Sequence, residues 1–385
     1  MEEFDAIVVG LGALGSAAAC RLAARGSVLG LEQFELGHDR GASQDHSRII
    51  RLSYHTPGYV RLAKRAYEAW AEIERDAGEP LIVRTGGLDL WPADAAIPMT
   101  DYTESLTAEQ VPFERLDAAE VMRSWPQWSL DDDTLAIFQE DAGIAPAARC
   151  NEAHRRLATE LGAVLRPNSP VTAIHASTGE VEVEAPDARF RTHRLILTAD
   201  AWTNDLLSNL GVHLPLTTTQ EQVTYFAAPH ADDFATERFP IWIWMDEPSF
   251  YGFPAYGHPG PKVAQDCGGL PVTPSTRTFE PDPDNLARVT TFVNRHLPSA
   301  LGPIIETKTC LYTLTPDRDF VIDVVPGHPE VLVALGAAHA FKFAALIGRA
   351  LDDLATDGAT DLDLSPFRID RPILQLDDPP TSWMI

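Results

Sequence analysis

Positive charge is what this sequence has least of. Lysine occurs four times in 385 residues, at Lys64, Lys262, Lys308 and Lys342, and 30 Lys and Arg stand against 56 Asp and Glu, a formal charge of −26. A surface of that sign cannot neutralise phosphates, which excludes nucleic acid and anionic membrane as partners. Long apolar runs are missing too: no stretch approaches the roughly 18 residues of a membrane-spanning helix. The opening MEEFDAIVVG is acidic and lacks the basic and apolar regions of a signal peptide. A cytoplasmic location follows, and the ending SWMI is not a peroxisomal address of the Ser-Lys-Leu type.

Cysteine is equally sparse. Cys20, Cys150, Cys267 and Cys310 are far apart, with no CxxC and no Cys/His spacing of a metal site, so neither a disulfide framework nor zinc is expected. Taken singly, each reads as a small buried hydrophobe. Cys310, alone in ETKTCLYTLTPDRDFVID, is the one that raises a question.

What is present is a chain 45 per cent hydrophobic, long enough for about two or three domain cores. FDAIVVGLGALGSAAACRLAARG reads as a buried strand from Phe4 to Val9, a glycine turn and an Ala-rich helix ending near Gly26, followed by a strand closing on Glu32. Gly10, Gly12 and Gly15 form GxGxxG. Gly10 permits the sharp turn, Gly12 lets backbone approach a pyrophosphate, and Gly15 lets helix and strand pack closely, while Glu32 accepts from ribose hydroxyls. This predicts dinucleotide binding and leaves nicotinamide and flavin both open.

Three further segments add chemistry. In GASQDHSRIIRLSY, Arg48 and Arg51 stand at helical spacing, one turn apart. THRLILTADAWTNDLL is a strand that stops at Ala199-Asp200-Ala201-Trp202, a second edge on which a cofactor could rest. PEVLVALGAAHAFKFAALIGRALDDLA is again strand, glycine turn and helix, with Lys342 at the helix start, where the dipole already favours an anion.

Together GLGALG, SRIIR, TGGLDL, DAGIAPAARC, LTADAW, FYGFP, TCLYTLTPDRDFVID and AHAFKF follow, in order over nearly the whole chain, the monomeric sarcosine oxidase and N-methyltryptophan oxidase family of flavin amine oxidases, which this sequence resembles. The resemblance implies FAD bound covalently through Cys310 as 8α-S-cysteinyl FAD, the thiolate being the nucleophile that such a bond needs. It implies that Arg48 lies against the flavin, that Arg51 and Lys342 grip a substrate carboxylate, and that Lys262 sits by flavin N5 and assists the reaction with oxygen. Tyr251 and Tyr312 match pocket aromatics. The cofactor set carried over comprises Gly10, Gly12, Ala13, Leu14, Gly15, Glu32, Ser43, Ser47, Arg48, Arg51, Val171, Trp202, Cys310, Tyr312 and Lys342.

The sequence departs from the family at several positions. Asp266 stands where the family often has histidine, and either pairs with a cationic group on the substrate or faces solvent. The run before Arg48 is shorter by a residue, leaving Gln44 and His46 as stand-ins for family histidines. His339 is flanked by alanine instead of glycine beside the flavin's pyrimidine ring, and reads as structural more readily than as a base. Either Trp242 or Trp244 faces the pocket.

The expected architecture is α/β (α+β): a discontinuous Rossmann-like FAD domain from 1–84, 145–210 and 325–385, and a substrate domain on a mainly antiparallel sheet from 85–144 and 211–324, with the active site between them. The expected reaction is oxidation of an N-methyl or cyclic secondary amino acid, or of a related amine, to an imine, with O2 reduced to hydrogen peroxide by a monomer that uses no metal. A dehydrogenase serving another acceptor, or an oxidase of primary amino acids, shares the cofactor motifs; a dinucleotide-binding module without turnover gives Arg51, Lys262, Lys342 and Cys310 no reason to occur together.

Overall fold

The computed structural model describes residues 1–382, so the last part of the SWMI ending lies outside the described residues. Two large sheets organise the chain. The first has eight strands, in the order Ala173–Ser177, Glu180–Ala185, Ala188–Leu197, Glu2–Val9, Val28–Leu31 and Val164–Arg166, with His328–Leu335 and Val321–Val325 branching from Ala188–Leu197. Its centre is parallel: Glu2–Val9 runs alongside both Ala188–Leu197 and Val28–Leu31. A parallel sheet needs both faces covered, which explains why these strands read as continuous apolar runs.

The face carrying Ile7 and Val9 is covered by Leu206, Leu207 and Leu210, and the face carrying Ala6 and Val8 by helices Ala13–Ala23, Ala147–Glu160 and Ala344–Thr356. Small residues let them approach: a Cβ on Gly348 would lie 2.7 Å from that of Ala17 in the facing helix. The helix Pro57–Ala77 is bounded as its sequence dictates. Thr56 caps the amide of Tyr59, Pro57 opens the first turn, and Gly78 closes the last with φ +70°.

The second sheet has nine strands, in the order Leu270–Pro271, Thr217–Phe226, Lys262–Gln265, Phe250–Phe253, Ile241–Trp244, Gly87–Trp91, Leu135–Gln139 and Glu114–Asp117, with Ile304–Leu314 also paired to Thr217–Phe226. It is antiparallel except where Ile241–Trp244 meets Gly87–Trp91. A third, small sheet joins Arg48–Ile50, Gly143–Ala145 and Val83–Arg84.

Two expectations are corrected here. Arg48 and Arg51 do not share a helix: Arg48–Ile50 is a strand antiparallel to Gly143–Ala145, and the β-branched Ile49 and Ile50 favour that extended form. The eight-stranded sheet also takes the chain back at Val321, ahead of the expected boundary at 325. Among the described residues no helix is long and apolar enough to cross a membrane.

Candidate active site

One cavity of about 370 Å³ runs from the glycine turn to Lys342, and the site residues expected from the sequence line it, except Gly15, His46, Trp242 and Trp244. Gly15 works from behind. A Cβ there would come within 1.8 Å of the Gly10 carbonyl oxygen and 2.5 Å of Thr198 Oγ1, so the helix can rest on the turn only without a side chain. Gly10 adopts φ +89°, which L side chains rarely adopt.

Glu32 is buried at this end. It accepts from the amides of Leu11 (2.9 Å) and Phe34 (3.1 Å), with His38 Nε2 at 3.3 Å. Burial alone would raise its proton affinity, but His38 and the Leu11 amide outweigh this, and it titrates below the usual range. Its first task is thus to fix the turn. Ser43 Oγ accepts from the Ala13 amide at 3.0 Å, and Trp202 packs edge-on against Phe34.

Cys310 lies midway, on Ile304–Leu314. That strand pairs in unbroken register with Thr217–Tyr225, placing Cys310 opposite Glu221, Tyr312 opposite Thr219 and Lys308 opposite Val223. Lys308, Cys310 and Tyr312, at alternate positions, share one side of the sheet and all line the cavity. Burial pushes the Cys310 thiol up to about 11, and Arg48 opposes this only in part. Glu221 opposite is buried and likewise pushed up, to about 7.

Charge is concentrated at the far end. Arg48 donates to the carbonyls of Ser47 and Ala42, each at 2.8 Å. Lys262 opens the strand Lys262–Gln265 and is 2% exposed. Its Nζ donates to Asp45 Oδ2 at 2.9 Å and to the Ser47 carbonyl at 3.0 Å, and lies 4.1 Å from the centre of the Phe253 ring. Burial brings it down to about 8, with Asp45 pulling the other way. Burial also disfavours charge on Asp45, yet Lys262 and Arg48 hold that carboxyl well below its ordinary range.

Arg51 and Lys342 converge on one ring: the Arg51 guanidinium lies 5.0 Å and Lys342 Nζ 5.7 Å from the centre of Tyr54. Arg51 Nη1 donates to Asp89 at 3.2 Å, while its Nε is buried without a partner. Lys342 is in the 3-10 turn Ala340–Phe343 that leads into Ala344–Thr356; burial and then Arg51 bring it down to about 7. Tyr251 and Tyr312 meet through their hydroxyls at 3.3 Å.

Asp266 lines the cavity and accepts from Arg318 Nη1 at 2.9 Å. His339 Nε2 meets the Arg318 carbonyl at 2.7 Å and so carries its proton there; burial, then Lys342 and Arg318, hold the ring neutral. Neither Trp242 nor Trp244 faces the cavity: both pack on Phe292, and Ile243 and Met245 line the wall instead. Gln44 lines the cavity and donates to the Thr309 carbonyl, whereas His46 turns away to Tyr225 and His258.

The sequence reading missed the acids Asp45, Asp89 and Glu221, and Arg318. An available signal was Asp89, a lone carboxylate in the apolar strand GLDLW.

FAD fits this site on two observations: Gly10, Gly12, Ala13 and Leu14 of the glycine turn line the cavity, and Ser47 Oγ is buried in the wall with no partner. A parallel sheet with a glycine turn at its strand ends, opening into a cavity that holds arginines and buried lysines, defines a dinucleotide-binding oxidoreductase. Residues 5–354 match the FAD dependent oxidoreductase family. The chain is 36% identical to monomeric sarcosine oxidase of Streptomyces avermitilis over 93% of its length and 94% of the relative, and 31% identical to N-methyl-L-tryptophan oxidase of Salmonella arizonae over 96% and 99%. Its structure resembles the open form of NikD, an unusual amino acid oxidase essential for nikkomycin biosynthesis, with a TM-score of 0.86 and 27% identity over 96% of this chain and 98% of that one. The chain belongs to the FAD dependent oxidoreductase family, in its sarcosine oxidase and N-methyltryptophan oxidase branch, and FAD is its cofactor.

Proposed function

We propose that the protein oxidises a secondary amino acid, N-methylated or cyclic, at its C–N bond. The observation that carries this reading is the convergence of Arg51 and Lys342 on the Tyr54 ring. Two cations beside the N-terminal end of Ala344–Thr356 form a receptor for a carboxylate, and the unpartnered Arg51 Nε is a donor left for it. Anchoring the carboxylate turns the amine and its neighbouring C–H toward the middle of the cavity, where orientation lowers the barrier. Tyr251 and Tyr312 wall the substrate and limit water.

FAD supplies the two-electron acceptor for the oxidation, and O2 receives the electrons as hydrogen peroxide. Lys262 contributes a fixed positive charge where oxygen is reduced, and Arg48 lies beside the flavin. Cys310 tethers the cofactor as 8α-S-cysteinyl FAD. The imine product is hydrolysed by water. The chain works as a cytoplasmic monomer: segments 1–84, 145–210 and 325–385 form its FAD-binding domain, with the strand from Val321 added, and 85–144 with 211–324 its substrate domain.

Acid precipitation tests the tether. Yellow chromophore should stay with the precipitated wild-type protein and be released from Cys310→Ala; release from the wild type would return Cys310 to an ordinary buried thiol. A peroxide assay across N-methyl, cyclic and primary amino acids then defines the substrate. Flavin reduction without peroxide in air would point to another acceptor.

A further inference from the structure

Asp45 has no role in the reading above, yet its carboxylate is a centre of the cavity wall. It lies at φ +83°, in the left-handed region, and only 3% of its side chain is exposed. Holding a non-glycine residue there costs about 1 kcal/mol or more and persists only where the surroundings enforce it. Those surroundings are polar and come from distant parts of the chain. Lys262 Nζ donates to Oδ2 at 2.9 Å, the Tyr225 hydroxyl lies 2.8 and 2.9 Å from the two oxygens, Lys308 Nζ lies 3.5 Å from Oδ1, and Arg48 Nη1 is 4.0 Å from Oδ2.

We infer that Asp45 is a positioning residue that keeps Lys262 charged and fixed against the cavity, and that Lys308 competes with Lys262 for the same carboxylate. The inference rests on the proposed place of Lys262 beside the flavin. A lysine at this depth sheds its proton unless an anion compensates, because burial penalises the ammonium form. The groups facing Lys262 are Asp45 and His46 from the segment ahead of the Arg48–Ile50 strand, Arg48 at its start, Tyr225 and Phe253 from flanking strands, and Lys308 and Cys310 from Ile304–Leu314. Asp45 is the carboxylate among them that bonds it. A neutral amine would give oxygen no stabilising charge, so this function of Lys262 depends on Asp45. Lys308 is a quarter exposed and also 3.2 Å from Glu306, so it draws on Asp45 from the solvent side.

These roles predict shifts of opposite sign, readable from the flavin itself. In the FAD-loaded enzyme, titrating visible absorbance with pH should show a transition near 8, where Lys262 loses its proton. Asp45→Asn should move it down by about one pH unit or more, Lys308→Gln should move it up, and Lys262→Met should abolish it. The fall in the rate of flavin reoxidation with rising pH should shift in step, with Asp45→Glu restoring part of the wild-type profile. A transition that survives Lys262→Met would overturn the placement of Lys262. One lost in Lys262→Met but unmoved in Asp45→Asn would overturn the inference about Asp45. If Asp45→Asn does not retain FAD, Lys308→Gln decides, and the absence of an upward shift defeats the proposal.

Discussion

Arg51 Nη1 reaches Asp89 Oδ1 at 3.2 Å, with both side chains 6% exposed, so a carboxylate of the chain already holds one arm of the guanidinium assigned to the substrate. Ser53 Oγ donates to the other Asp89 oxygen. The pair orients the fork and leaves Nε as a donor for a second anion. Removing one partner of a buried pair costs about 3–5 kcal/mol because the other charge is left uncompensated. Asp89→Asn should therefore lower the Tm of the ligand-free protein, and a bound carboxylate inhibitor should raise that Tm more than it raises the wild type's. Equal ligand-induced shifts in a thermal melt would remove Asp89 from any competition with substrate.

Lys342 gives the pH dependence of binding. Burial, reinforced by Arg51, brings it down to about 7. Below that pH the ammonium is present and attracts a carboxylate; above it, binding must also take up a proton. KM for a carboxylate substrate should rise above pH 7, by up to about tenfold per pH unit, and Lys342→Met should flatten the slope while raising KM throughout. A flat wild-type profile between pH 7 and 9 would count against Lys342 as the anchor.

Lys262→Met should separate the two halves of turnover. Removing a preorganised charge costs about 10²-fold in the step that uses it, so reoxidation by O2 should slow by that order and anaerobic reduction by substrate should change only a few-fold. In the wild type, reoxidation should decline above pH 8 as the lysine loses its proton. Equal slowing of both half-reactions in stopped-flow traces would reassign the residue.

Gly15→Ala should be damaging although no ligand is near it. The new Cβ would meet backbone at Gly10, which cannot swing aside as a flexible side chain could. A loss of about 3 kcal/mol or more is expected, with flavin content falling in parallel. Wild-type stability in denaturant unfolding would show that the turn can yield.

The parts legible in the sequence are those determined by local chain geometry. GxGxxG encodes a strand, a turn and a helix within one short segment, and the glycines act on one another, Gly15 on Gly10. What escaped depends on partners brought together from afar. Lys262 and Asp45 are 217 positions apart, and nothing near Lys262 marks it as buried and ion-paired. The tryptophans were misread for another reason: strand alternation sends Trp242 and Trp244 to the same side, and the larger side chains went to the core while Ile243 and Met245 took the cavity. Asp266 was recognised as a departure, but its partner Arg318 is 52 residues away, and its place in TCLYTLTPDRDFVID does not show which carboxylate it meets.

The strand Ile304–Leu314 concentrates risk. Lys308, Cys310 and Tyr312 owe their shared aspect to the two-residue period of a single ladder. A slip of one position against Thr217–Tyr225 would turn all three away together and present Thr309, Leu311 and Thr313 in their place. The proposed cofactor tether, the proposed pocket wall and the proposed competing cation are thus inherited as one unit: substitutions can alter them separately, but an insertion or deletion within this strand displaces all three.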